Sequence, residues 1–360
     1  MTKTFVLFVI SFAYLLCFTN CSVIAEGTTQ PAMTLEKIGE IDTVSVPTDL
    51  QIIDNTMYVV EQAGLIIYDI TDIANPVQVG EFPDSGTLHG IHVIGDYAFA
   101  ADLDEGLEIY NVSEFTNIQK VDTYYSGQDV AEVLVQDSVC IVSVDASKLI
   151  LLNSSDIMDL TTLGEFNITS GMDFQIVDDL IFVTDNLSGL KILNISDPTN
   201  PTLVGTYVDG ENVRAVNVDQ EIAFISCSTD GFKILDISDI SSPTLICEIH
   251  EVIWGMGHIK QGNLIYVCDY DAGLRVFDVS NLNSPIPYQI YECERVFKVF
   301  EDQEYLILLE GGDGLIEILE VIQEPTGSNI DATLVVIIGM IGVSASVIVI
   351  AMILKKKSRV

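Results

Sequence analysis

One short phrase recurs seven times along this chain. Its clearest copy, Gly189-Leu190-Lys191-Ile192-Leu193-Asn194-Ile195-Ser196-Asp197, alternates apolar and polar residues behind a glycine. It breaks at Pro198-Thr199-Asn200-Pro201 and resumes at Leu203-Val204-Gly205. Alternation marks a half-buried strand, and clusters of Ser, Asp, Pro and Asn form turns. The anchors are Gly64, Gly106, Lys148, Gly189, Gly231, Gly273 and Gly314, separated by 42, 42, 41, 42, 42 and 41 residues. A period near forty built from strands alone predicts propeller blades, because one small sheet cannot bury both faces and a stack of them can.

Each copy supplies four strand-like runs; in the first these are 49–53, 57–61, 65–70 and 77–82. Asp54-Asn55, Gly95-Asp96, Asp178-Asp179 and Gly262-Asn263 provide turn chemistry between the first two runs. The seventh copy ends at Val321 after three runs. An orphan, Ile38-Gly39-Glu40-Ile41, precedes the first copy and repeats the fourth-run signature of Val79-Gly80-Glu81-Phe82 and Leu163-Gly164-Glu165-Phe166. A strand from the N-terminal side that completes the last blade closes the ring and protects its edges. The expected fold is all-β: a seven-bladed β-propeller over residues 34–321, closed by the N-terminal strand, with one C-terminal transmembrane helix.

Leu65-Ile66-Ile67-Tyr68-Asp69-Ile70, Leu274-Arg275-Val276-Phe277-Asp278-Val279 and the Asp-Ile-Ser-Asp turn at 236–239 resemble the LVIVD repeat family, whose members are secreted or surface propeller-like proteins. The resemblance covers about residues 35–321; it implies the fold and says almost nothing of activity. The third copy departs from the pattern: Lys148 replaces the glycine, and residues 156–162 lack the proline turn.

The two ends read as targeting and anchoring segments. Lys3 precedes an apolar run over 5–18 and a small-residue exit at Val23-Ile24-Ala25, as in a secretory signal peptide spanning 1–25. Residues 333–354 form an uncharged, predominantly apolar stretch of 22 residues, followed by Lys355-Lys356-Lys357-Ser358-Arg359. That length crosses a bilayer, and the basic tail at 355–360 marks the cytoplasmic side. Residues 322–332 form a stalk, with 324–329 its Pro/Gly/Ser-rich part. The expected location is the cell membrane, single-pass, with the ectodomain outside the cytoplasm.

All but one of the 53 acidic residues, and ten of the 15 basic ones, lie between 26 and 330, a formal charge of −42. Such a surface repels nucleic acid and anionic membranes and attracts cations. The five cysteines of that part (Cys140, Cys227, Cys247, Cys268 and Cys293) are odd in number and widely spaced, so they form no disulfide framework. A single bridge within the Cys227, Cys247 and Cys268 group stays open.

In a propeller the lead-in to each first strand shares a face with the turn between the second and third. The lead-ins hold Thr48-Asp49, His89 and His92, Asp129 with Glu132, Asp173, Arg214, Trp254 with His258, and Arg295 with Lys298. Convergent concave sites of this kind take ligands, so His89, His92, Asp129, Asp173, Arg214, Trp254, His258 and Arg295 are the candidate ligand-binding residues. The opposing turns carry Asp102/Asp104 and Asp269/Asp271. These pairs are hairpin chemistry first; a calcium site is the alternative, although no loop of the full ligand count completes either pair. Asn111, Asn153 and Asn194 occupy the repeat's own turn position, which leaves Asn167 and Asn186 as the better glycosylation acceptors.

The chain contains no Gly-x-Ser-x-Gly, His-Glu-x-x-His or glycine-rich phosphate loop. Two functions follow. The first is a cell-surface binding or adhesion module for an extracellular protein or glycan. The alternative is an extracytoplasmic, metal-assisted enzyme acting on a glycan or small molecule.

Overall fold

The computed structural model describes residues 33–185, 188–208, 212–229, 231–312 and 314–323. Within them lie seven antiparallel four-stranded sheets, six of which take four consecutive strands. In the seventh, Met33–Asp42 pairs outside Leu315–Gln323, with Tyr305–Glu310 and Val296–Asp302 further in. The orphan run is the closing strand, as its signature predicts.

The fourth-run glycine has a role in every seam where it recurs. A Cβ on Gly205 would lie 1.7 Å from the Ile240 carbonyl oxygen of the next blade, and one on Gly39 would lie 2.8 Å from that of Ala74. The missing side chain lets each outer strand receive the neighbouring blade's turn. Apolar clusters fill the space between blades. At the closing seam Leu50, Met57 and Tyr68 of blade 1 pack with Ile307, Leu309 and Ile318 of blade 7 and with Ile41 of the closing strand.

Blade 3 keeps four strands despite its altered turn. Asp145 and Ala146 take left-handed backbone (φ 51° and 47°) and reverse the chain there. Lys148 can therefore begin the third strand, pairing with Val144, where the other blades use a glycine.

The sheets' innermost strands are Pro47–Ile53, Leu88–Ile94, Val130–Gln136, Gly171–Val177, Val213–Asp219, Gly255–Gln261 and Val296–Asp302. Each shows a register shift near its start, for example between Pro47 and Asp49 and between Val296 and Lys298. Such bulges re-aim side chains at the rim of a sheet. The five cysteines are free thiols, so the bridge left open by the sequence does not form. The signal peptide, the stalk at 324–329, the segment 333–354 and the basic tail lie outside the described residues. Among the described residues no helix is long and apolar enough to cross a membrane.

Candidate functional site

The residue that follows each inner-strand bulge occupies one level of the central channel. Around the ring this level reads Asp49, Gly90, Glu132, Asp173, Ala215, Gly257 and Lys298. Three carboxylates and one ammonium share this level with three small residues that give them room. A Cβ on Gly90, for instance, would sit 2.8 Å from Glu132 Oε1.

Lys298 Nζ donates to Asp49 Oδ1 at 2.8 Å and stands 4.0 Å from Glu132 Oε2. The other oxygen of Asp49 accepts from the Ile91 amide at 3.0 Å, and Asp173 Oδ2 accepts from the Val216 amide at 2.9 Å. Gln51 and Gln175, one level deeper, accept from the Val93 and Val218 amides at 2.6 Å. These acceptors satisfy the free edge of the neighbouring inner strand, so the polar channel also fastens blade to blade.

Burial opposes the Lys298 charge, but Asp49, Glu132 and Asp173 outweigh it and hold the ammonium above its ordinary range. Burial lifts the Glu132 carboxyl to about 8 against the pull of Lys298, with Asp49 and Asp173 adding to the rise. Asp173 is lifted too, again chiefly by burial. One cation faces three acids in a poorly solvated channel, and protons make up part of the balance.

A cavity of about 360 Å³ at this ring is lined by His89, Arg214, Met256, Phe297 and Phe300 among others, with Asp49, Glu132, Asp173 and Lys298 in its wall. The sequence candidates divide here. His89, Asp173, Arg214 and His258 line the cavity. Arg214 Nε donates to Ser228 Oγ at 2.7 Å, and His89 Nδ1 bonds the Ala131 carbonyl at 2.8 Å. Burial, then Lys298, keeps the His89 imidazole below its ordinary range.

His258 is structural. Its Nε2 meets the Phe224 carbonyl oxygen at 3.1 Å and its Nδ1 meets Ser226 Oγ at 2.8 Å, so the ring donates from Nε2 and accepts at Nδ1. Burial drops its pKa to about 3, so it is neutral. His92 lies on the deeper Gln51 level, and burial lowers it as well.

Asp129, Trp254 and Arg295 sit on the rim and not in the cavity wall. Asp129 is exposed, Trp254 tilts against Tyr270 with ring centroids 5.2 Å apart, and the Arg295 carbonyl accepts from the Gly311 amide at 3.0 Å. That bond, like the one from the Tyr270 amide to the Trp254 carbonyl at 3.0 Å, places lead-ins and turns on one face as expected.

Each aspartate pair contains one buried acid and one exposed acid. Asp102 Oδ1 accepts the Asp104 and Glu105 amides at 2.6 and 2.7 Å. Asp269 accepts the Ile253 and Trp254 amides and Arg275 Nε at 3.0, 3.1 and 2.7 Å. Asp104 and Asp271 face solvent. Asn111 and Asn194 accept from the Ser113 and Ser196 amides at 3.0 Å, which is the turn role expected of them. Asn167 is exposed, and Asn186 lies outside the described residues.

Sequence reasoning placed Asp49, Glu132 and Lys298 in the lead-ins but did not single them out. The available signal was their common position after the bulge. Met256, Phe297 and Phe300 carried none, being apolar residues in apolar strands.

A closed ring of seven four-stranded blades around a polar channel defines a β-propeller. The LVIVD repeat matches at residues 48–84, 85–125, 170–209, 210–250 and 261–292, and the chain belongs to that family. Blade 3, with its altered turn, lies outside the matched segments. No curated protein matches.

Among solved structures the chain is similar to the WD40 β-propeller domain of Doa1, with a TM-score of 0.65 and 14% identity over 79% of this chain and 97% of that one. It is also similar to Chaetomium thermophilum Raptor, with a TM-score of 0.66 and 12% identity over 82% of this chain but 29% of Raptor. The computationally designed protein Ika8 gives a TM-score of 0.57 at 9% identity, covering 79% of this chain and 99% of that one. At such identities the likeness is one of fold.

Proposed function

We propose that this protein is a membrane-anchored, extracytoplasmic binding module whose partner, a protein or a glycan, engages the mouth of the propeller channel. One observation carries the reading: a preformed cavity whose acids are already engaged. Asp49 and Asp173 are tied to the amides of adjoining blades and Asp49 also to Lys298, which gives the cavity lined by Arg214, Met256, Phe297 and Phe300 a rigid polar wall. Preorganised surfaces of this kind favour binding because little is left to order on association. The apolar segment 333–354 with its basic tail supports the anchor and its orientation. The enzyme reading retains one observation, the raised carboxyl of Glu132 beside Lys298, which could serve as a general acid.

The test presents the full-length chain in nanodiscs to a glycan array and to a panel of extracellular proteins. Arg214→Ala and Phe297→Ala should each weaken the captured partner at least tenfold while the melting temperature holds. A partner indifferent to both substitutions would move the site away from the channel. Turnover of a captured glycan that disappears in Glu132→Gln would favour the enzyme.

A further inference from the structure

Several blades place ionisable groups at the end of the second strand and at the third residue of the third strand. In blades 4 and 6 the two positions hold opposite charges, Asp185 with Lys191 and Asp269 with Arg275. In blade 2 the third-strand residue is Glu108, and Lys120 from the fourth strand neutralises it together with Asp84. Blade 2 thus pairs two acids, Asp102 and Glu108, and blade 7 does the same. Glu310 and Glu317 occupy the register that Asp269 and Arg275 occupy in blade 6, but among the described residues no lysine approaches Glu310 as Lys120 approaches Glu108.

Both glutamates are more than nine-tenths buried, at 6% and 7% exposure. Glu310 Oε1 and Glu317 Oε2 have no hydrogen-bond partner. Lys37 of the closing strand holds the other oxygen of Glu317 at 2.5 Å and divides its charge with Glu40 at 2.6 Å. Glu310 has no basic partner among the described residues, and Glu294 nearby adds to the negative field. The Cys293 sulfur, on the connection from blade 6 to blade 7, lies 3.8 Å from the Tyr291 carbonyl and also meets the Leu274 backbone. Cys293 and the two glutamates each offer a ligand atom, and these atoms lie within 4.8 Å of one another.

We propose that Cys293, Glu310 and Glu317 bind a zinc-class divalent cation at the seam where the ring closes. Glu310 is buried without a basic partner, and the Glu317 oxygen that Lys37 does not hold is unpaired beside it; such a pair calls for a cation, and a thiolate beside it selects zinc over calcium. Zinc–ligand bonds of about 2.0–2.3 Å require the three atoms to draw in by roughly an ångström, within the reach of side-chain rotation. Lys37 then serves as an outer-shell partner on the Glu317 oxygen that does not face the metal. Binding replaces the Cys293 S–H bond with an S–Zn bond, and the proton leaves to solvent.

The experiment titrates zinc chloride into the full-length chain, stripped with EDTA and held in detergent. It is run by calorimetry in two buffers of different ionisation enthalpy. One zinc per chain, release of about one proton from the Cys293 thiol, and a melting temperature raised by about 5 °C at a hundredfold excess are expected. Calcium at equal concentration should give no such rise. Cys293→Ser and Glu310→Gln should each weaken zinc binding at least tenfold, while retained melting in EDTA shows that they fold. Zinc binding that survives both substitutions, or no binding by the wild type, would overturn the proposal. So would a native Cys268–Cys293 disulfide found by mass spectrometry.

Discussion

Lys298→Met is the most informative single perturbation, because this one ammonium faces three channel carboxylates. The substitution keeps the length of the side chain and removes the charge that bonds Asp49 at 2.8 Å and approaches Glu132 to 4.0 Å. Removing one partner of a buried pair costs about 3–5 kcal/mol. Here 28% of the lysine side chain is open to the channel, so a loss of about 3 kcal/mol is expected at pH 8. For a domain of this size that is a fall of about 6 °C in Tm.

The pH dependence follows from the direction of the acids' shifts. Glu132 sits at about 8 in the folded protein, above its ordinary 4.5, and Asp173 is raised as well. The folded state therefore binds more protons than the unfolded one in this window. Stability is present at low pH and is lost as pH rises through the folded value. Without Lys298 both acids rise further, so the deficit should be smaller at pH 5 than at pH 8. Calorimetric melts of both proteins at pH 5 and pH 8 check this. In the Lys298→Met background, Glu132→Gln should restore at least half the loss at pH 8. Equal deficits at the two pH values would refute this account of the channel.

Deleting residues 34–42 should abolish cooperative melting and cause aggregation by exposing the edge of the strand Leu315–Gln323; an unchanged transition in the truncated chain would contradict closure. Gly205→Val would drive a side chain into the Ile240 carbonyl 1.7 Å away, costing about 3 kcal/mol in a denaturant titration. Calcium should shift the melt no more than sodium at matched ionic strength, in the wild type and in Asp102→Asn/Asp104→Asn alike, because Asp102 already serves the Asp104 and Glu105 amides. A calcium-specific rise that the double variant loses would restore an ion site there. In sodium alone the double variant should melt lower, since a neutral amide accepts those bonds less strongly.

The architecture was legible in the sequence because its causes are short-range. Period-two alternation and turn residues write each blade within some forty residues. The Ile38-Gly39-Glu40-Ile41 orphan gave away closure because the close approach of the next blade demands its glycine. Even the departure of blade 3 was visible at Lys148, though not its remedy in the left-handed Asp145 and Ala146.

The site resisted the same reading. With so many acids, spacing could not separate Asp49, Glu132 and Asp173, which face the channel, from Asp102 and Asp269, which brace turns. A bulge of one residue decides which side chain enters the channel, and a one-residue shift exchanges the two faces of a strand. Nor could spacing bring Cys293 to Glu310 and Glu317, or Lys37 to Glu317 across 280 positions. The chain's own pattern fixes how many blades form and which strand closes them, since those follow from local hydrogen bonding and burial. Which charges face one another is decided only when the ring closes, because the field at each group is set by neighbours from other blades.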